Sequence, residues 1–138
     1  GGHDEGLAEL KEALRIYVQT CGQEHLKVAE TLGDIALVHK AQGKYVEALE
    51  GHKEALRIKK LRLGGEHEDF AAELNNIGAL HSDLGQNEEA LEMFEEALRI
   101  RKKELGSEHP AVIGSLISIA DMHSKQDRHQ EALELYKE

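Results

Sequence analysis

The sequence predicts an all-α fold, an α-solenoid of stacked antiparallel helix pairs, on three observations. The first is a period: Glu12-Ala13-Leu14-Arg15-Ile16 returns as Glu54-Ala55-Leu56-Arg57-Ile58 and as Glu96-Ala97-Leu98-Arg99-Ile100, each copy 42 residues after the last. The second is that apolar residues within a period fall at helical spacing on two separate stripes. The third is composition: 138 residues, 40% hydrophobic with one proline and two phenylalanines, suit a helix-rich chain rather than a β-sandwich or a disordered tail. One helix pair cannot bury its stripes alone, so neighbouring pairs must stack.

The phase of the repeat makes the chain a single array. Residues 1–27 supply the second half of one unit, 28–69 a full unit, 70–111 another and 112–138 a unit cut short, as if taken from a longer array. In the third of these, Leu74, Ile77, Gly78 and His81 fall at i, i+3, i+4 and i+7, the stripe of a first helix, helix A. Asp83-Leu84-Gly85-Gln86-Asn87 interrupts it, and Gly85 can take the positive φ that closes a helix. Gly43 and Asp127 share its position. Ala90, Leu91, Phe94, Ala97, Leu98 and Leu105 then build a longer stripe, helix B, ended by Gly106.

Along helix B the glutamates Glu88, Glu89, Glu92, Glu95 and Glu96 precede Arg99, Arg101, Lys102 and Lys103, an order that complements the helix dipole. Glu95 and Arg99 stand at i,i+4, a pair worth about 0.2–0.5 kcal/mol when exposed. These charges read as a solvated outer face. The linker Leu105-Gly106-Ser107-Glu108-His109-Pro110 repeats Leu63-Gly64-Gly65-Glu66-His67-Glu68 and Cys21-Gly22-Gln23-Glu24-His25-Leu26. Pro110 suits a first helical turn, where a missing N–H is harmless. Cys21 takes the place of Leu63 and Leu105, so it is expected to be a small buried hydrophobe, slow to react with a thiol reagent.

Lys+Arg 17 against Asp+Glu 27 gives a formal charge of −10, a field that repels nucleic acid and anionic membrane. Neither is expected as a partner. The longest apolar run, Ile35 to Val38, falls far short of the ~20 residues of a membrane span. A lone cysteine and the absence of a signal peptide fit a reducing compartment, and a cytoplasmic location is expected.

With helix A, turn, helix B and linker in place, the chain resembles the tetratricopeptide repeat over its whole length, in the 42-residue form of kinesin light chains and similar proteins. The family's small residue in helix A is met by Ala36, Gly78 and Ala120. Its early helix-B alanine is met by Gly6, Ala48, Ala90 and Ala132, and its later one by Ala13, Ala55 and Ala97. The large residue between these is Leu10, His52, Phe94 and Tyr136. Leu105-Gly106-Ser107-Glu108-His109-Pro110-Ala111-Val112 and Leu74-Asn75-Asn76-Ile77-Gly78 are similar to the linker and helix-A motifs of kinesin light chains. The chain departs from them at Glu68 and Leu26, at Gly33-Asp34 and Ile117-Ser118, and where His39, His81 and His123 replace a tyrosine.

Nine histidines invite a metal reading, but His25, His67 and His109 form one periodic set and His39, His81 and His123 another. Members of a set lie a whole repeat apart, roughly 10 Å or more, which cannot close a sphere of ~2 Å Zn–N bonds. The first set is expected to help end linkers and the second to fill a semi-polar core position. His67-Glu68-Asp69-Phe70-Ala71 lacks the second histidine of a zinc-protease motif, and no phosphate loop or nucleophile elbow is present. Acidic pairs such as Glu88-Glu89 lie on an exposed face, without a pocket to raise one pKa. No catalytic residue, metal or cofactor is expected.

In the solenoid the A helices line the concave surface. The resemblance assigns to that surface Glu30, Gly33, Asp34, Leu37, Lys40 and Ala41, then Ala72, Asn75, Asn76, Ala79, Ser82 and Asp83, then Gly114, Ile117, Ser118, Asp121, Ser124 and Lys125. The expected peptide site draws on Asn75, Asn76, Leu37, Lys40, Ala79, Ser82, Ser118, Asp121 and Lys125, with shallow apolar pockets around Leu37, Ala79 and Ile117. A side-chain amide both donates and accepts, so Asn75 and Asn76 can hold the backbone of an extended peptide or, alternatively, satisfy a neighbouring helix. Lys40 and Lys125 favour an acidic group, while Asp34, Asp83 and Asp121 resist one. The expected function is binding of a protein or peptide within an adaptor or scaffold. The alternative is a structural spacer that self-associates through its terminal repeats.

Overall fold

The structure, a computed structural model, describes residues 2–137 apart from the side chains of His129, Glu131, Ala132, Tyr136 and Lys137. Along them run α1 (Gly2–Cys21), α2 (Leu26–Ala41), α3 (Tyr45–Leu63), α4 (Glu68–Asp83), α5 (Asn87–Leu105) and α6 (Pro110–Lys137). No strand occurs among the described residues. Each helix packs on the next in chain order, most extensively within the pairs α2–α3 and α4–α5. None of the described helices is long and apolar enough to cross a membrane.

The linkers set where each A helix begins. Lys27, Asp69 and Ala111 donate their backbone N–H to Nδ1 of His25, His67 and His109 at 3.0, 3.0 and 3.1 Å. The imidazole takes the role usually filled by a serine or aspartate cap. Because Nδ1 accepts, each ring carries its proton on Nε2. This periodic set therefore ends each linker by starting the helix that follows. Gly43 and Gly85 close α2 and α4 with φ of +79°, a left-handed backbone that a Cβ disfavours.

The arginines of the B helices close the other end of each pair. Arg57 on α3 holds Glu54 one turn back and reaches Glu24 in the linker before α2 at 2.8 Å. Arg99 on α5 repeats this with Glu96 and with Glu66 at 3.1 Å. The partner of Arg99 on its own helix is thus Glu96 at i,i+3, not Glu95, the spacing that Arg15 and Arg57 share with Glu12 and Glu54. The hydrogen bonds from Glu54 and Glu24, and from Glu96 and Glu66, hold both guanidinium groups firmly in the charged form.

Between the helices, Phe70, Ala71, Leu74, Ala97 and Ile100 form one apolar cluster and Val28, Ala29, Ala55 and Ile58 its counterpart a repeat earlier. The small residue of helix A permits close crossing: a Cβ on Gly78 would lie 2.9 Å from Cε1 of Phe94. Of the second histidine set, His81 is buried, its Nδ1–H donating to Gln86 Oε1 at 2.6 Å. His39 is half-buried and His123 exposed, so the core position expected for the set is realised fully only at His81.

Two further expectations are overturned. Helix α6 runs unbroken through Asp127, where the register of Gly43 and Gly85 places a turn. A residue with a Cβ disfavours φ near +79°, and the α-helical backbone simply continues. The register's Ala132 and Tyr136 have side chains outside the described set. Cys21 is exposed rather than buried, at a register that is only half-buried at Leu63 and Leu105. A thiol reagent is accordingly expected to label Cys21 in the folded protein at close to the rate in the unfolded chain, followed by the absorbance of the released chromophore. Labelling slowed by a hundredfold would contradict the exposed position.

Candidate functional site

Helices α4 and α6 flank a concave cavity of about 180 Å³ lined by Ala79, Ser82 and Asp83 from α4, Phe94 from α5, and Ser118, Asp121, Met122 and Lys125 from α6. Phe94 and Met122 are buried and form its apolar floor, packed with Ala90. The rim is polar: Lys125 Nζ donates to Ser82 Oγ at 3.0 Å, and Lys40 Nζ lies 3.9 Å from Asp83 Oδ2. The cavity is smaller than a usual small-molecule pocket of roughly 300 Å³ or more. It matches a single side chain.

Five of the nine residues expected in the peptide site, Ala79, Ser82, Ser118, Asp121 and Lys125, meet in this cavity. The other four stand outside its lining. Leu37 is exposed on α2, and Lys40 is drawn toward Asp83. Asn76 is half-buried on α4. Asn75 occupies the register of Gly33, a position that faces Glu73 on the next A helix, and its Oδ1 is buried with no partner among the described residues. Its carbonyl oxygen is thus turned into the packing. Ile117 is exposed on α6.

A larger cleft of about 590 Å³ lies between the α4–α5 turn and the middle of α6, lined by Gly85, Gln86, Asn87, Glu88, Glu89, Gln126, Asp127 and Gln130. It exists because α6 does not turn at Asp127. With no apolar side chain in its lining, it offers little to desolvate and hold a partner, so the smaller cavity is the better candidate. Among the described residues no cluster of three or more His, Cys, Asp or Glu is arranged to hold a metal ion.

One group went unnoticed in the sequence. Glu73 on α4 is buried against α3, where His52 Nδ1–H donates to its Oε2 at 2.8 Å and Lys59 Nζ to its Oε1 at 2.9 Å. Burial works against its ionisation, but the hydrogen bonds from His52 and Lys59 outweigh it and hold the carboxyl below its ordinary value of 4.5. Gly33 makes room, since a Cβ there would sit 3.2 Å from Glu73 Oε1. A repeat later the same register carries Phe94, Arg101 and Ser115, with Arg101 Nη1 donating to Ser115 Oγ at 2.9 Å. The readable signal is the series Thr31, Glu73 and Ser115, which puts one carboxylate into an otherwise neutral position of helix A.

Helix pairs stacked in register, closed by a glycine turn and sharing a concave face, define an α-solenoid repeat protein. The tetratricopeptide repeat profile matches residues 1–60 and 69–138, and the chain belongs to that family. BtubC (BKLC) from P. vanneervenii superimposes with a TM-score of 0.84 at 26% identity, over 96% of this chain and 53% of that one. The nearly identical TPR-like repeats of a protein described as a kinesin light chain from Podosopora anserina give a TM-score of 0.81 at 27% identity, over 98% of this chain and 64% of that one. A single-residue variant of those repeats gives the same values. The chain thus spans about half to just under two thirds of the length of these kinesin light chain-like structures. The comparison with curated proteins returns no match. Repeats of this family generally serve as protein-interaction modules and are typically non-catalytic.

Proposed function

We propose that this chain is a non-catalytic module of a cytoplasmic adaptor or scaffold, and that it binds an extended peptide or partner helix by seating one apolar side chain in the cavity between α4 and α6. The observation that carries this reading is the pairing of an apolar floor, Phe94 and Met122, with a rim of Ser82, Ser118, Asp121 and Lys125. The floor supplies burial, and the serines can bond the ligand backbone on either side. Asp83 and Asp121 offset Lys40 and Lys125, so the rim suits a peptide of mixed charge. The net charge of −10 argues against nucleic acid.

Titration of a peptide library by fluorescence anisotropy tests this. Asp121→Arg places a bulky cation at the exposed rim and is expected to weaken binding about tenfold, or ~1.4 kcal/mol, with an unchanged helical spectrum. Equal affinity in that variant would remove the cavity from the site, and equal affinity in Asn76→Ala would remove Asn76. A second reading, a spacer that self-associates, draws on the apolar residues exposed at both ends: Ile16 on α1, and Ile113, Leu116 and Ile117 on α6.

A further inference from the structure

The charges around the cavity cancel formally, but they are not equally available to a ligand. Glu30 pairs with Lys27 at 3.5 Å, and Asp83 with Lys40 at 3.9 Å. Lys125 follows Asp121 by four residues, the spacing at which the two would pair along one helix. Its Nζ instead donates to Ser82 Oγ on α4. That bond draws the ammonium to the α4 side of the cavity. It leaves Asp121 on the α6 side, exposed and without an ion pair or hydrogen bond among the described residues. Asp34 on α2 is likewise exposed and unengaged, but it stands outside the cavity lining.

Resting on the cavity reading above, we infer that the ligand is a basic peptide, whose apolar anchor sits on Phe94 and Met122 while an arginine or lysine beside it is received by Asp121. The apolar floor and the free carboxylate adjoin, since Asp121 and Met122 are consecutive on α6 and both line the cavity. In an extended strand the residue two places from the anchor projects from the same side of the chain, about 7 Å along. That is within the span of a long cationic side chain. An arginine there meets the carboxylate with a fork of donors. A glutamate at the same place would face Asp121, and it would have to compete with Ser82 for Lys125. The field of the whole chain acts in the same sense. At a net charge of −10, a basic peptide is drawn toward the surface and an acidic one is repelled.

An NMR titration of the whole chain tests this with three short blocked peptides. They are alike except at the residues two places to either side of a central leucine, which are arginine, glutamine or glutamate. Each is followed through the amide signals of Ala79 and Met122 at the cavity. At low ionic strength the arginine peptide is expected to bind about threefold to fivefold tighter than the glutamine one. The glutamate peptide should bind more weakly than either, and the differences should shrink as salt is added. Asp121→Asn should bring the arginine peptide down to the glutamine level, whereas Asp34→Asn, with the same change in net charge, should leave the preference in place. Equal affinities for all three peptides at the cavity, or a preference that survives Asp121→Asn, would overturn the basic ligand and leave the cavity reading standing. If none of the three shifts those signals, the cavity reading fails and this inference with it.

Discussion

Glu73→Ala is expected to lower the unfolding free energy by about 3–5 kcal/mol, because it strands a buried Lys59 and His52 without their shared acceptor. The Lys59 side chain is only 13% exposed and has limited room to reach water. Urea denaturation followed by circular dichroism measures the loss. The next repeat supplies its own control. Combining Glu73→Ser with His52→Phe, Lys59→Arg, Ala36→Gly and Leu26→Glu installs the set found at Ser115, Phe94, Arg101, Gly78 and Glu68, and should recover a substantial part of the stability. Acid titration gives an independent reading. Since the folded-state pKa of Glu73 is depressed, its contribution is complete above the unfolded value near 4.5 and is lost as pH falls through the lower folded value. Stability that drops equally in the wild type and in Glu73→Ala over that window would dismiss the ion cluster as its source.

Phe94→Ala is expected to cost about 3–5 kcal/mol, the range for emptying a buried aromatic site. Phe94 touches Gly78 at one end and packs with Met122 at the other, so its removal loosens both the α4–α5 crossing and the contact with α6. The same substitution deepens the concave cavity, whose lining includes the ring. Destabilisation should therefore come with altered selectivity, longer apolar side chains gaining over shorter ones in the peptide titration. A loss below about 1 kcal/mol would mean that the crossing collapses onto the void.

Most of the architecture was legible because the period recurs in residues whose role is local. Alanines and glycines at fixed offsets mark close crossings, and apolar stripes mark buried faces, so α2 to α5 follow from the sequence alone. The histidine caps were visible as a periodic set, but the direction of their hydrogen bonds belongs to the folded backbone. Cys21 departs from its register because that position is only half-buried even at Leu63 and Leu105. Glu73 was overlooked for a different reason. Its partners lie 21 and 14 residues away on another helix, and a carboxylate at a core position looks like an exposed one until both are in place. The cavity was half legible: its rim came from helix-A positions, but Phe94 and Met122 read only as packing residues.

The arginine contacts with the linker glutamates give the helix pairs an unexpected completeness. Each internal pair is shut at one end by a glycine turn and at the other by a guanidinium clasp, Arg57 on Glu24 or Arg99 on Glu66, so that α2–α3 and α4–α5 are each buckled into a ring. Each clasp is exposed to water, which screens it, so it adds little to stability. Its effect is geometric, since it fixes where the start of each helix A lies against the end of its helix B. The last helix lacks the first of these fastenings, because Asp127 stands where Gly43 and Gly85 turn, and so α6 runs on as a rod.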